Sequence, residues 1–209
     1  MRTLLAVAAV LVALVAAPVY PAGQSLRIVM VVAPKDFTDA EYADPRAVFD
    51  ATGAVVRVAS ISGGTAVGHG GARVRIDLTV RELALDQFDA IVVVGGTGAL
   101  TYLMDDEALR KILAGAAAAG KVVAGICVAP AVLARAGILR NKQATCYPDK
   151  RIVTILKMNG ADYTEKSVVT AGRTVTANGP EAAKDFARRV LGLMSKGSET
   201  KWRPSFSVA

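Results

Sequence analysis

The chain has 209 residues, 53% of them hydrophobic, and carries a formal charge of +7 with two cysteines and one histidine. That length suits one domain of ordinary size. The cations are scattered apart from a modest cluster at Lys184, Arg188, Arg189, Lys196, Lys201 and Arg203, with no interleaved aromatics, so a solvated surface is expected and a nucleic-acid partner is not.

Met1-Arg2-Thr3 is a short basic opening, Leu4 to Ala17 is an unbroken apolar stretch, and Pro18 to Ser25 breaks it with small and turn residues. The apolar run is too short for a comfortable membrane span, so residues 1–22 read as a secretory signal peptide, with an uncleaved N-terminal anchor as the alternative. No cysteine follows the run, which argues against a lipoprotein anchor. The mature protein is expected to begin near Gly23, to be periplasmic or secreted, to leave the membrane once cleaved, and to carry +6 without Arg2. Export would permit a disulfide, and a transient Cys127–Cys146 bond is conceivable as a redox switch.

From Leu26 the chain alternates strand and helix signals, the mark of an α/β fold. A buried parallel-type strand runs from Leu26 to Ala33, a short helix from Pro45 to Thr52, and a valine-rich strand from Ala54 to Ser60. The segment between the first two, Ala33 to Pro45, reads as a loop with four carboxylates, Asp36, Asp39, Glu41 and Asp44. A glycine-rich stretch from Gly63 to Gly71 holds the lone histidine, His69, and Arg73 to Asp77 alternates like a hairpin arm. A loop histidine of this kind is usually a surface residue, and with no close cysteine pair a zinc site is not expected. Val80 to Leu83 is a helical turn, and Asp89 to Val94 is a buried strand ending at Gly95-Gly96-Thr97-Gly98. That turn matches neither the dinucleotide nor the P-loop fingerprint, but it can bring the Gly96 N–H close to a reacting atom. Asp105 to Ala119 is a helix with acidic residues at its positive end. Later come a short strand from Ala144 to Tyr147, a hairpin across Gly172, and a last helix from Glu181 to Met194. Residues 23–195 read as a single domain without repeats, and 196–209 as a flexible tail.

Between Lys121 and Ala136 lies the segment that carries chemistry. An apolar strand ends at Ile126, Cys127 follows, and an Ala-rich helix with Pro130 in its first turn begins at Ala129. Gly125, Cys127 and Ala129 form a small-x-Cys-x-small pattern, which lets a strand turn sharply into a helix with the central side chain at the tip. A thiol there meets the positive end of the helix dipole, which favours the thiolate. A buried structural cysteine is the plainer alternative.

Taken together, Ile28 to Ala33, Asp39-Ala40-Glu41-Tyr42, Phe88 to Gly96, the Cys127 elbow, Ala144-Thr145-Cys146-Tyr147-Pro148 and Thr176 to Pro180 resemble the DJ-1/PfpI (ThiJ/PfpI) superfamily, over about Leu26 to Leu193. The resemblance implies a flavodoxin-like three-layer α/β/α sandwich with a mostly parallel sheet and a nucleophile elbow, and a homodimer. It implies that Cys127 is the nucleophilic or oxidisable cysteine, that Glu41 hydrogen-bonds its sulfur, and that Gly96 and Val128 supply oxyanion-type N–H groups. Tyr147 and Cys146 would line the pocket. Val128 stands where peptidase-like members have a histidine, Tyr147 where some relatives have another, and no histidine follows Cys127. Peptidase and glutamine amidotransferase activities are therefore not expected. Three functions remain open: attack of Cys127 on small reactive carbonyls in the manner of glyoxalase-like or deglycase-like members, with Glu41 as acid/base and no cofactor; a non-enzymatic oxidative-stress sensor whose Cys127 stops at sulfinic acid; and a chaperone-like binding role.

Overall fold

The structure, a computed structural model, describes residues 25–199. The expected leader falls outside them. In chain order the elements are β1 (Arg27–Val31), β2 (Lys35–Phe37), α1 (Asp39–Asp50), β3 (Val55–Ser60), β4 (Thr65–Gly68), β5 (Arg73–Arg75), β6 (Leu78–Thr79), β7 (Ala90–Val93), α2 (Glu107–Ala118), β8 (Val122–Ile126) and α3 (Pro130–Arg135). The chain continues through β9 (Gln143–Ala144), α4 (Lys150–Met158), β10 (Asp162–Tyr163), β11 (Val168–Ala171), β12 (Thr174–Ala177) and α5 (Ala183–Glu199).

The main sheet has the order β11-β12-β8-β7-β1-β3-β6. Every pairing is parallel except the β11–β12 hairpin. β7 and β8 are buried at every residue, as apolar runs covered on both faces must be. Helices α1 and α5 pack together, with α5 against β8 and β12; α2 and α3 pack on each other and on β8. Leu109 and Leu113 from α2, and Phe186 and Val190 from α5, are fully enclosed. The architecture is the flavodoxin-like sandwich that the family resemblance implied.

Several elements depart from the sequence reading. The acidic stretch after β1 is not one long loop: Lys35–Phe37 pairs with β4, and the first helix starts at Asp39. Pro45, expected to open that helix, lies inside it. The N–H it lacks would have bonded the Glu41 carbonyl, and Thr38 makes no side-chain cap, so contacts from elsewhere hold the first turn. Helix α4 was not foreseen, although Asp149 caps it by accepting from the Arg151 N–H at 2.9 Å and Ile152 and Leu156 face the core. The segment expected as a strand from Ala144 to Tyr147 pairs only at Gln143–Ala144, with β10. The last helix begins at Ala183, after a 3-10 turn at Pro180–Ala182, and continues to Glu199, so four residues assigned to the tail are helical. The remainder, 200–209, lies outside the described residues.

Candidate active site

β8 delivers the chain to Cys127 at the carboxyl end of the sheet, where sites form in open α/β folds. Cys127 has φ 63°. A left-handed residue with a Cβ costs about 1–2 kcal/mol and persists only where its surroundings hold it. Here the Cys127 N–H donates to the Ala177 carbonyl at 2.9 Å, and its carbonyl accepts from the Tyr147 N–H at 2.7 Å. Pro130 opens α3 three residues on. A Cβ on Gly125 would come within 3.1 Å of Leu133 Cδ1, which accounts for the small residue before the thiol. The sharp strand-to-helix turn is the elbow expected from the spacing.

Across from the elbow stand the β7 terminus and the first turn of α1. Gly95 occupies the gap between Glu41 and Cys127: a Cβ there would collide with Glu41 Oε2 and lie 2.7 Å from Cys127 Cβ. Gly96, at φ 102°, packs its backbone on Phe37 and Thr38. The Thr38 N–H donates to the Gly95 carbonyl at 3.1 Å, tying the two segments together. Glu41 is completely buried, the only charged residue so enclosed among the described residues. Neither of its carboxyl oxygens has a hydrogen-bond partner of ordinary geometry. The groups that act on it are the Cys127 thiol, the Gly95 N–H and the Thr38 side chain.

Burial dominates the electrostatics. Desolvation pushes Glu41 up to about 7, against the smaller opposing influence of the Cys127 thiol, the Gly95 N–H and the Thr38 side chain. Desolvation and then the Glu41 charge push the Cys127 thiol up to about 12, against the Gly96 and Val128 N–H groups. This corrects the expectation of a thiolate set by the helix dipole, since α3 has only six residues and burial outweighs it. The two groups are coupled: the first negative charge falls on Glu41, and that charge opposes ionisation of the thiol. With Glu41 ionised the thiol keeps its proton; a thiolate requires Glu41 to hold a proton, with the Gly96 and Val128 N–H groups beside the sulfur.

Of the other candidate site residues, Gly96 and Val128 have N–H groups near enough to the sulfur to favour its anion, without offsetting burial. Tyr147 is 48% exposed beside the elbow, bound to it through its backbone. Cys146 is fully buried, its thiol pushed up to about 12 by desolvation and then by Asp149. Both cysteines are free thiols. Cys127 as a residue retains 8% exposure. His69 is exposed on the turn between β4 and β5, outside the Cys127 cluster. The sequence reading passed over Gly95 and Thr38. The double glycine at the end of a buried strand was the available sign for the first; nothing local marks the second.

A family model described as DJ-1/PfpI family matches residues 26–193. An uncharacterized protein of Methanocaldococcus jannaschii is 39% identical over 176 residues, covering 84% of this chain and 86% of that protein. A Pyrococcus abyssi protein named a deglycase is 32% identical over 166 residues, covering 79% of this chain and 98% of that protein. The crystal structure of a ThiJ/PfpI domain protein from Brachyspira murdochii superposes with a TM-score of 0.79 at 34% identity, covering 83% of this chain and 99% of that one.

Proposed function

Because the chain belongs to the DJ-1/PfpI family, we propose that it acts on small reactive carbonyl compounds through Cys127, with Glu41 moving the proton and Gly96 and Val128 steadying developing negative charge. The observation that carries this reading is a strained elbow thiol facing a buried carboxyl group whose proton is held to about neutral pH. In the competent form Glu41 is protonated and Cys127 is a thiolate. Sulfur adds to the aldehyde carbon and a C–S bond forms. The carbonyl π pair moves to oxygen, which takes the Glu41 proton and gives a hemithioacetal. The Glu41 carboxylate left behind is then placed to accept a proton from that adduct. With a 2-oxoaldehyde and water the sum is a 2-hydroxy acid: the aldehyde carbon is oxidised and the ketone carbon reduced, so no external redox partner enters. Deglycase-named relatives at about 30% identity support this class of substrate.

One observation favours a second reading. Cys127 is largely enclosed, and Glu41 with the two N–H groups would hold the sulfinate left by a small oxidant. Methylglyoxal turnover by the purified protein separates the two. The enzyme reading expects turnover that is lost in Cys127→Ala and falls at least about tenfold in Glu41→Gln. No turnover by the wild type, with peroxide adding two oxygens at Cys127 alone, would replace it with the sensor reading.

A further inference from the structure

The glycine-rich turn at Gly68-His69-Gly70-Gly71 plays no direct part in the chemistry above, yet its backbone is committed to one side chain. The Gly70 N–H donates to Asp39 Oδ2 and the Ala72 N–H to Asp39 Oδ1, both at 2.7 Å. A Cβ on Gly68 would sit 2.6 Å from Asp39 Oδ2, and one on Gly70 would sit 3.2 Å from the carboxylate. Gly68 therefore leaves the room the seat occupies, the fit at Gly70 is tight, and Gly71 adds the left-handed turn at φ 94°. The His69 N–H donates to the Phe37 carbonyl at 2.8 Å, a third tie between this turn and the same segment. Thr38 gives the helix no side-chain cap, and Pro45 removes one bond of its ladder. The first turn of α1 is thus held from outside, by Gly95 on one side and by the Asp39 seat on the other.

Resting on the reading of Cys127 and Glu41 as the working pair, we propose that Asp39 is a positioning residue: its carboxylate, seated in the Gly68–Ala72 turn, holds the first turn of α1 so that Glu41 stays buried against the sulfur. Asp39 and Glu41 lie two residues apart in that turn, so release of one loosens the other. Against desolvation, the N–H groups of Gly70, Ala72 and Asp39 itself, with a smaller effect from His69, hold the Asp39 carboxyl below its ordinary range, keeping the clamp closed through neutral pH. Asp39 is bonded to the turn, not to the sulfur; it acts through Glu41.

The test reads Cys127 alkylation by iodoacetamide against pH, with mass-spectrometric site assignment, and needs no substrate. Wild type should show a Glu41-linked inflection near neutral pH that vanishes in Glu41→Gln. In Asp39→Ala and Asp39→Asn the inflection should move down by about half a unit or more, because a loosened Glu41 regains solvent. Gly70→Ala, which crowds the carboxylate, should move it the same way by less. His69→Gln should leave it in place. Hydrogen exchange at the Gly70 and Ala72 amides should accelerate in the Asp39 variants. Should Asp39→Ala fail to fold, Asp39→Asn keeps the size and one acceptor and carries the test. An inflection unmoved in the Asp39 variants but lost in Glu41→Gln overturns the role of Asp39 alone. An inflection that survives Glu41→Gln, or disappears in His69→Gln, overturns the pairing on which it rests.

Discussion

Glu41 exacts a cost in stability that follows from its burial. Its ordinary value is 4.5 and in the folded protein it is pushed up to about 7. The folded state therefore binds more protons than the unfolded chain between those values. Full stability is present below about 4.5 and declines as pH rises to about 7, by roughly 3 kcal/mol at most. Glu41→Gln removes the titration. The variant should gain on the wild type between pH 5 and pH 8, read as the difference in thermal midpoint at each pH. A constant difference across that range would mean that Glu41 ionises as freely in the folded protein as in the unfolded one.

At the scale of elements, the site is a junction of three segment ends: β7 with its glycines, the β8–α3 elbow and the first turn of α1. Gly95 shows how closely they meet. Gly95→Ala should press Glu41 and Cys127 apart, cost about 1–3 kcal/mol, and slow Cys127 alkylation. Chemical denaturation and alkylation rates check both parts; wild-type reactivity would show that the gap is wider than the collision implies. The elbow was legible because its marks are local: a β-type run, small residues at alternate positions and a proline. The acidic segment was misread because Pro45 resembles a helix start, while the true first turn draws its support from Gly95, Gly70 and Ala72, distant in sequence. Helix α4 had a local signal in Asp149, Ile152 and Leu156, but the segment is short enough for the flanking strands to obscure it.

At the scale of the whole molecule, the basic-apolar-small leader leads us to propose export. Protein recovered from an exporting host should begin near Gly23 on N-terminal sequencing, and retention of Met1 in a soluble cytosolic form would count against it. The alternation of buried strands and helices determined the layered α/β fold directly, because a strand covered on both faces must be apolar throughout and a helix must show one apolar stripe. The candidate nucleophile was likewise written in contiguous residues around Cys127. Four acidic side chains in thirteen residues looked alike in the sequence. Tertiary structure separated them: Asp36 is exposed, Asp44 lies 3.9 Å from Lys184, Asp39 is seated in the hairpin, and Glu41 alone is buried at the sulfur. It also decided the proton's place, since desolvation depends on what the folded chain stacks around a group and leaves no trace in that group's own neighbours along the chain.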